Sequence, residues 1–248
     1  INSIKKYLKN NDIVIPLACL VGAPLCNLKE TEAEEVNYQA IKSLVDNLSK
    51  DQFIIYPTTN SGYGIGEKDK FCTEETPLNP ISVYGKTKVN SERYIAENFN
   101  NSTRLRLATV FGCSPRMRLD LLVNDFVFRA TKDRFIVLFE SNFKRNYIHI
   151  RDVCKAILMS IDNHTKFAGE TFNLGLSDAN LSKLELCNLI KKHIPKFEIL
   201  ESDIGQDIDK RDYIVSNEKI ESRGFKPEYS IDDGVIELIK LFRYLIPS

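Results

Sequence analysis

The sequence of 248 residues predicts an α/β fold, a doubly wound parallel sheet with helices on both faces, together with a small α+β lobe. Short apolar runs, typical of buried parallel strands, occur at residues 12–18, 53–56 and 104–110. Helical patterns fill the intervals between these runs, at the spacing that crossovers between parallel strands require. After residue 111 the predicted elements become shorter and mixed, which indicates the second lobe.

The first part of the chain alternates strands and helices. In order, its predicted elements are a strand at 12–18, a helix at 31–48, a strand at 53–56, a loop at 57–82, a helix at 83–98 and a strand at 104–110. Thr31 and Glu34 have the spacing of a capping box, which predicts the start of the first helix. The second strand is expected to end at Pro57, because proline cannot donate a ladder hydrogen bond.

The second part begins with a polar loop and continues with shorter elements. These are a loop at 113–125, helices at 122–131, 149–162, 182–193 and 231–245, and strands at 135–139, 171–174 and 197–200. Asp152 is the expected N-cap of the helix at 149–162, since a side-chain oxygen there can accept a hydrogen bond from a free helix amide.

The composition excludes several classes of protein. Hydrophobic residues make up 43% and charged residues 27%, which is ordinary for a globular protein and excludes disordered, collagen-like and coiled-coil chains. The 34 basic and 34 acidic residues balance, which argues against a broad nucleic-acid or membrane surface. We find no signal-peptide pattern and no CxxC pair among the six cysteines, and therefore expect a cytoplasmic protein with reduced thiols. Three widely spaced histidines predict no metal site.

Tyr84 and Lys88 open the helix at 83–98 with a spacing of four residues, which places them on one face. A tyrosine phenol ordinarily ionises near pH 10, but a nearby ammonium group stabilises the phenolate. Tyr84 is therefore a candidate acid/base. The alternative is an ordinary surface pair, because so short a motif recurs by chance.

Hydroxyl side chains follow the strand at 53–56. The run Thr58-Thr59-Asn60-Ser61 lies where the carboxyl end of a parallel strand faces the ligand crevice of such sheets. One of these hydroxyls could bind the substrate oxygen that Tyr84 deprotonates. The alternative is that they satisfy backbone groups of the loop.

Motifs along most of the chain resemble those of one family. The matching segments are 15–18 (IPLA, with Pro16 where the family has His), Asn37, 58–64, 84–88, 106–112, 144–152, 172–175 and 224–227. The sequence resembles the extended short-chain dehydrogenase/reductase family, whose members are NAD-dependent epimerases and dehydratases of nucleotide sugars. This resemblance implies a Rossmann-type sheet and an enzyme that uses NAD.

The resemblance also implies roles for individual residues. Thr59, Tyr84 and Lys88 take the catalytic positions, with Lys88 holding the cofactor ribose and lowering the pKa of Tyr84. The residues implied to contact NAD are Leu17, Ala18, Asn37, Thr58, Tyr84, Lys88 and Ala108. Residues 1–112 correspond to the C-terminal part of the NAD-binding domain, and residues 113–248 mainly to the substrate lobe, with some segments returning to the main domain.

The family's glycine-rich GxxGxxG turn, which binds the pyrophosphate, is absent from the sequence. Gly62, Gly64 and Gly66 follow the wrong strand and open no helix. The resemblance places the turn and the N-terminal βαβ units roughly 60 residues before Ile1, by the usual size of such units. We therefore expect that the 248 residues alone neither bind NAD nor catalyse redox chemistry.

Substrate-binding residues are implied in the loops of the second part. Arg116, Arg118, Arg145 and Arg211 are candidates for the nucleotide diphosphate, since a guanidinium group binds such oxygens in a bidentate manner, and Asn124 is a candidate nucleotide contact. Asn60 and Ser61, also assigned to the substrate, replace the acidic residue that follows the catalytic hydroxyl in sugar 4,6-dehydratases. The sequence therefore argues against dehydration.

Longer phrases resemble a bacterial subgroup that includes the GDP-D-glycero-D-manno-heptose 4-dehydrogenases; they lie at 15–26, 56–69, 116–126 and 210–217. This resemblance implies oxidation at C4 of a nucleotide sugar, with a second oxidant such as 2-oxoglutarate, in surface-polysaccharide synthesis. The resemblance to the whole family also implies a homodimer formed by the helices at 31–48 and 83–98. A 4-epimerase, a 4-ketoreductase and a catalytically silent binding module remain as alternatives.

Overall fold

The computed structural model describes residues 2–202 and 211–245. Its strands are β1 (Ile13–Val14), β2 (Phe53–Thr59), β3 (Phe71–Cys72), β4 (Ser102–Leu107), β5 (Thr109–Phe111), β6 (Phe135–Phe139), β7 (Lys144–His149), β8 (Thr171–Leu174), β9 (Asn180–Ser182), β10 (Glu198–Ser202) and β11 (Ile214–Val215). Its α-helices are α1 (Asn2–Leu8), α2 (Ala23–Leu28), α3 (Glu30–Glu34), α4 (Ala40–Val45), α5 (Val83–Asn98), α6 (Leu122–Lys132), α7 (Ile150–Asp162), α8 (His164–Phe167), α9 (Lys183–His193), α10 (Glu218–Ser222) and α11 (Ile231–Leu245). A π-helical turn (Glu35–Gln39) joins α3 to α4, and a 3₁₀ turn (Asn60–Tyr63) follows β2.

The main sheet has four parallel strands in the order β1-β2-β4-β8. Side chains alternate along β2, as in any strand, so that its two faces pack on different helices. Ile54 and Tyr56 pack with Ile95 of α5, whereas Ile55 packs with Ala156 of α7. The predicted parallel sheet with helices on both faces is confirmed.

The chain leaves the main sheet at Ala108. Its amide still donates to Leu174 O of β8 at 2.9 Å, but β5, which follows, pairs with β7 in a separate three-stranded sheet. The predicted strand at 104–110 is therefore two strands in two sheets. A second apolar cluster, which includes residues of α6, α9 and α11, packs beside this sheet and the β6–β10 pair. The domain boundary at residue 112 stays a prediction.

The start of the chain differs from the prediction. The strand at 12–18 is reduced to β1, and residues 15–20 form no regular element. Helix α2 occupies part of the predicted loop, because Pro24 lies in its first turn, where proline is favoured. The expected capping box at Thr31 is wrong: α3 begins at Glu30 after Lys29, without a side-chain cap.

Pro57 does not end β2, contrary to the prediction. The amide of Phe53 donates to Asp12 O beside β1, whereas that of Ile54 donates to Asn101 O beside β4. Because amide directions alternate along a strand, the nitrogen of Pro57 lies on the β1 side, beyond the end of β1. No ladder bond is lost there, and β2 continues to the hydroxyl residues Thr58 and Thr59.

The N-cap of α7 is His149 rather than the expected Asp152, because the amide of Arg151 donates to His149 Nδ1 at 3.2 Å. The buried carboxylate of Asp152 instead accepts hydrogen bonds from the amides of Glu228 and Tyr229, at 2.8 and 3.1 Å. The predicted bounds of α5 and α11 match the structure. Within the described residues no helix combines the length and apolar character needed to cross a membrane.

Candidate active site

The end of β2 holds the first candidate catalytic residue. Thr59 Oγ1 accepts a hydrogen bond from the amide of Ser61 at 3.1 Å and donates to Ser61 Oγ at 2.9 Å. Arg211 Nη1 also donates to Ser61 Oγ, although the two residues are 150 positions apart. Thr59 caps the 3₁₀ turn in this way, and its hydroxyl is held in a fixed direction.

Helix α5 positions Tyr84 and Lys88. Ser82 caps the helix by accepting a hydrogen bond from the amide of Gly85 at 3.1 Å, so that Tyr84 lies in the first turn. An ideal Cβ on Gly85 would lie 3.0 Å from Pro80 Cβ and 3.3 Å from Ser61 O. Because glycine permits this close approach, the start of α5 packs directly against the turn that follows Thr59.

A cavity of about 240 Å³ lies between these two elements, and it is called the small cavity below. Thr58, Thr59, Ser61, Tyr84 and Ala108 line it. The structure therefore brings Thr59 and Tyr84 together as the sequence predicted. Thr58 Oγ1 is buried without a protein hydrogen-bond partner, which leaves it available to a ligand.

Lys88, one turn after Tyr84 on α5, does not line this cavity and is 5% exposed. Its Nζ is 4.0 Å from the ring centroid of Tyr56, a distance at which the ring attracts the cation. Burial lowers the pKa of Lys88 to about 8, although Cys19 and Glu92 oppose this effect. The structure therefore does not bring the Lys88 ammonium group into the cavity that Thr59 and Tyr84 line, and its assignment to the cofactor stays a prediction.

Substitution of Lys88 by Met is expected to change how stability depends on pH. Between about pH 8 and 10.5 the folded protein releases the proton of Lys88 while the unfolded chain keeps it, so this group makes stability rise with pH. Urea unfolding of the wild type should show a rise larger by about 1–3 kcal/mol than that of Lys88→Met. Parallel curves for the two proteins would contradict the lowered pKa.

The pKa of Tyr84 differs from the expectation. Burial raises it above its ordinary value, and the neighbouring Cys19 adds to this effect, whereas the charges of Arg211 and Arg118 act in the opposite direction. The predicted lowering by Lys88 does not occur in this state of the protein. Tyr84 therefore keeps its proton at neutral pH in this structure.

A larger cavity of about 680 Å³ adjoins the first, and it is called the large cavity below. Residues that line both cavities are Gly22, Ala23, Thr109, Arg118, Leu121 and Arg211. Arg145 lines the large cavity and is 2% exposed. Three of the four predicted arginines thus line the two adjoining cavities, and Asp120, Asp125 and Asp133 also line the large one.

The contacts of these arginines fix their positions. Arg118 forms a bidentate pair with Asp120, with Nε–Oδ1 at 3.0 Å and Nη2–Oδ2 at 2.5 Å. Arg145 Nη1 donates to Lys144 O at 3.0 Å, and its guanidinium carbon is 5.9 Å from the ring centroid of Tyr213. Arg118 uses two of its five N–H donors on Asp120, so a diphosphate oxygen in the cavity could accept from another.

Other predicted substrate residues lie elsewhere. Arg116 is exposed and lines neither cavity. Asn124 is buried and holds a loop, since its Oδ1 accepts from the amide of Gly112 at 3.2 Å and its Nδ2 donates to Arg118 O at 2.9 Å. Asn60 is 1% exposed with neither amide atom bonded, and it does not line the small cavity.

Apart from Lys88, the predicted cofactor residues outside the small cavity belong to one loop and its support. Leu17 and Ala18 are exposed in the loop that follows β1. Asn37, in the π-helical turn, accepts from the amide of Leu20 at 2.7 Å and donates to Leu20 O at 2.9 Å. The side-chain amide of Asn37 therefore fixes this loop. The assignment of Asn37 to the cofactor stays a prediction.

The sequence analysis missed Lys183 and Arg129, which also line the large cavity. Lys183 is 3% exposed, and its Nζ donates to Phe139 O at 2.8 Å. Its position at the start of α9, behind the Ser182–Glu185 capping box, has the pattern of a surface lysine. No signal in the sequence distinguishes it, because its burial depends on the distant strand β6.

Comparison with known proteins identifies the family. The family described as NAD dependent epimerase/dehydratase matches residues 1–175 of the 248. The chain belongs to this family.

The described residues contain no group of three or more His, Cys, Asp or Glu side chains that could hold a metal ion.

Two curated members of the epimerase/dehydratase family illustrate the similarity. The uncharacterized UDP-glucose epimerase YtcB of Bacillus subtilis is 28% identical over 163 residues, which cover 62% of this chain and 49% of that protein. The dTDP-D-glucose 4,6-dehydratase of Mus musculus is 26% identical over 248 aligned residues, which cover 94% of this chain and 68% of that protein. The chain thus spans about half of the length of the Bacillus relative.

A solved structure of an epimerase/dehydratase shares the fold. The UDP-glucuronic acid 4-epimerase of Bacillus cereus, in complex with UDP-glucuronic acid and NAD, matches with a TM-score of 0.81 and 23% identity. The match covers 98% of this chain and 79% of that chain. This similarity confirms the predicted Rossmann-type α/β fold.

Proposed function

We propose that the protein oxidises the C4 hydroxyl of a nucleotide-activated sugar and uses NAD as its cofactor. The observation that carries this proposal is the pair of adjoining cavities. Thr59 and Tyr84 line the small one, and Arg145 lines the large one. Arg118 and Arg211 line both, so a diphosphate between them would place an attached sugar beside the hydroxyls.

The residues around the small cavity fit NAD. Thr58 Oγ1 lines this cavity as a buried hydroxyl without a protein partner, so it offers a hydrogen bond to a ribose or carboxamide group, and Lys88 follows one turn after Tyr84 on α5. Tyr84 and Ala108 complete this wall, while Leu17, Ala18 and Asn37 belong to the loop beside it and its support. Bound NAD supplies the acceptor for the hydride that leaves C4.

The side chains of this chain supply the proton transfer. Thr59 and Ser61 orient the C4 hydroxyl, since their own hydrogen bond fixes the direction of both hydroxyls. Tyr84 takes the proton from that oxygen. The positive charges of Arg211 and Arg118 act against the effect of burial and favour the phenolate form that this step requires.

The neighbouring side chains favour simple oxidation over dehydration. Asn60 and Ser61 follow Thr59 and carry no carboxyl group that could remove or add a proton at C5 and C6. Within this proposal the substrate is a GDP-heptose or a similar nucleotide sugar, and an oxidant such as 2-oxoglutarate regenerates NAD. We further propose a homodimer through the surfaces of α3–α5, which light scattering of the full-length protein tests.

The outcome at C4 separates the alternatives. A dehydrogenase releases the 4-keto sugar, whereas a 4-epimerase returns the hydride to the other face of C4 and a 4-ketoreductase runs the reduction. The experiment incubates full-length protein with GDP- and UDP-sugars, including a GDP-heptose, and analyses the products by mass spectrometry and NMR. We expect a released 4-keto sugar and NADH that 2-oxoglutarate reoxidises.

Two other results would change the proposal. A product inverted at C4, with no released ketone, would establish an epimerase. Absence of both turnover and co-purified NAD would support the binding module, which the joint placement of Thr59 and Tyr84 opposes. A matched variant, Arg116→Ala, removes an exposed arginine outside both cavities and should leave turnover unchanged.

A further inference from the structure

The loop of residues 112–121 connects β5 to α6 and carries Arg118, which lines both cavities. The loop begins at Gly112, whose φ is +105°, a conformation that favours glycine. An ideal Cβ at this position would lie 2.3 Å from His149 Nε2. The start of the loop is therefore packed tightly against the imidazole of His149.

Two consecutive amides at this start bind side chains of different helices. The amide of Gly112 donates to Asn124 Oδ1 on α6, and the amide of Cys113 donates to Glu237 Oε2 on α11, both at 3.2 Å. Asn124 Nδ2 donates in turn to Arg118 O at 2.9 Å. Glu237 and Asn124 thus hold the loop from two sides, and Glu237 lines neither of the two cavities.

His149 holds the carboxylate of Glu237 in place. Since His149 Nδ1 accepts the amide of Arg151, the proton of the neutral ring lies on Nε2, which donates to Glu237 Oε2 at 2.9 Å. The fully buried ring stacks on Tyr229, with 4.5 Å between centroids, and Phe111 meets it edge-on at 5.4 Å. The imidazole therefore has little freedom to move away from Glu237.

Glu237 receives a third donor, Arg151 Nη2, at 2.5 Å from Oε1. The two oxygens of the Glu237 carboxylate have enough lone pairs to accept from all three donors. A glutamine at this position would offer a single acceptor oxygen. The Arg151 side chain is 51% exposed, so water can replace this partner. The amide of Cys113 and Nε2 of His149 are the contacts that depend on Glu237.

We propose that Glu237 is a positioning residue for nucleotide-sugar binding. It fixes the start of the 112–121 loop, and through that loop it sets the place of Arg118 between the two cavities. This inference rests on the proposed function, since the diphosphate is the group that Arg118 would bind. Glu237 touches neither the reacting atoms nor the sugar, so its loss should affect binding more than the chemical step.

The test compares Glu237→Ala with Glu237→Gln and Arg151→Ala in the full-length protein. Hydrogen exchange of the peptide that contains residues 112–121 reports on the loop itself. Calorimetric titration with GDP and UDP reports on diphosphate binding, and steady-state kinetics separates KM from kcat. If Glu237→Ala does not fold, Glu237→Asp takes its place in the comparison. The aspartate side chain is one methylene shorter, so we expect that its carboxylate does not reach the amide of Cys113.

In Glu237→Ala we expect about tenfold faster exchange at Cys113 and about tenfold weaker diphosphate binding, since a buried donor loses its partner. KM should rise to a similar extent while kcat stays within about twofold. Glu237→Gln keeps one acceptor oxygen and should restore exchange and affinity. Arg151→Ala should have the loop exchange rate, diphosphate affinity and KM of the wild type.

Unchanged loop exchange and diphosphate affinity in Glu237→Ala, or Glu237→Asp in its place, would overturn the inference. A fall in kcat at constant KM would overturn it as well. If the wild-type protein oxidised no nucleotide sugar, the proposed function would fail separately. The exchange comparison needs no substrate, and it would still decide whether Glu237 holds the loop.

Discussion

Replacing Tyr84 with Phe is expected to lower turnover by about 10²–10⁴-fold, because the variant lacks the phenolate oxygen that we propose as the acceptor of the sugar proton. The fold should persist, since the phenyl ring still fills the wall of the small cavity. The measurement is the initial rate of NADH formation by full-length protein with saturating nucleotide sugar. A loss smaller than tenfold would exclude Tyr84 as the acid/base.

Tyr94 provides a matched control on the same helix. Its hydroxyl donates to Asp46 at the surface, away from both cavities. Tyr94→Phe makes the same chemical change and should leave turnover close to that of the wild type. If both variants lost activity equally, the effect would come from α5 rather than from the Tyr84 hydroxyl.

Replacing Glu92 with Ala is expected to destabilise the protein by about 3–5 kcal/mol, the usual effect of breaking a buried ion pair. Arg106 donates to Glu92 Oε1 from both Nε and Nη2, at 2.9 and 2.7 Å. The two side chains are 8% and 5% exposed, so the variant leaves an uncompensated guanidinium charge in the interior. Urea unfolding of the wild type and the variant measures the difference.

The surface pair of Lys29 and Glu32 is the control for this prediction. Its side chains are 49% and 47% exposed, and such pairs contribute about 0–1 kcal/mol. Glu32→Ala should therefore change the free energy of unfolding little. In the double variant Glu92→Leu, Arg106→Met we expect partial recovery relative to Glu92→Ala, because no charge remains buried. A loss below 1 kcal/mol in Glu92→Ala would contradict the role of this pair.

Local patterns in the sequence predicted those elements that local chemistry decides. The bounds of α5 match the prediction, and in the structure the helix begins after the capping residue Ser82. Pro57 misled the prediction, because its effect depends on whether a neighbouring strand extends beside it. The predicted N-cap of α7 was also wrong. Asp152 is a good capping residue by its type, but the sequence does not show that its carboxylate accepts hydrogen bonds from the distant amides of Glu228 and Tyr229.

In the candidate site, too, local motifs were predictable from the sequence, whereas contacts between distant segments were not. The spacing of Tyr84 and Lys88 and the hydroxyls after β2 were visible as motifs, so Thr59 and Tyr84 could be placed together. The contact of Arg211 with Ser61 joins distant segments, and no spacing rule predicts it. The burial of Lys88, which lowers its pKa, arises from packing on Tyr56, and so it also required the structure.

The common wall of the two cavities has a thermodynamic consequence. Arg118 and Arg211 line both, so whatever orders these side chains in one cavity changes the free energy of ordering them in the other. Such coupling is reciprocal: in the proposed function, a diphosphate in the large cavity would favour sugar binding in the small one, and a bound sugar would strengthen diphosphate binding to the same extent. A free sugar without its nucleotide lacks this coupling free energy, so we expect it to react more slowly even at saturating concentration.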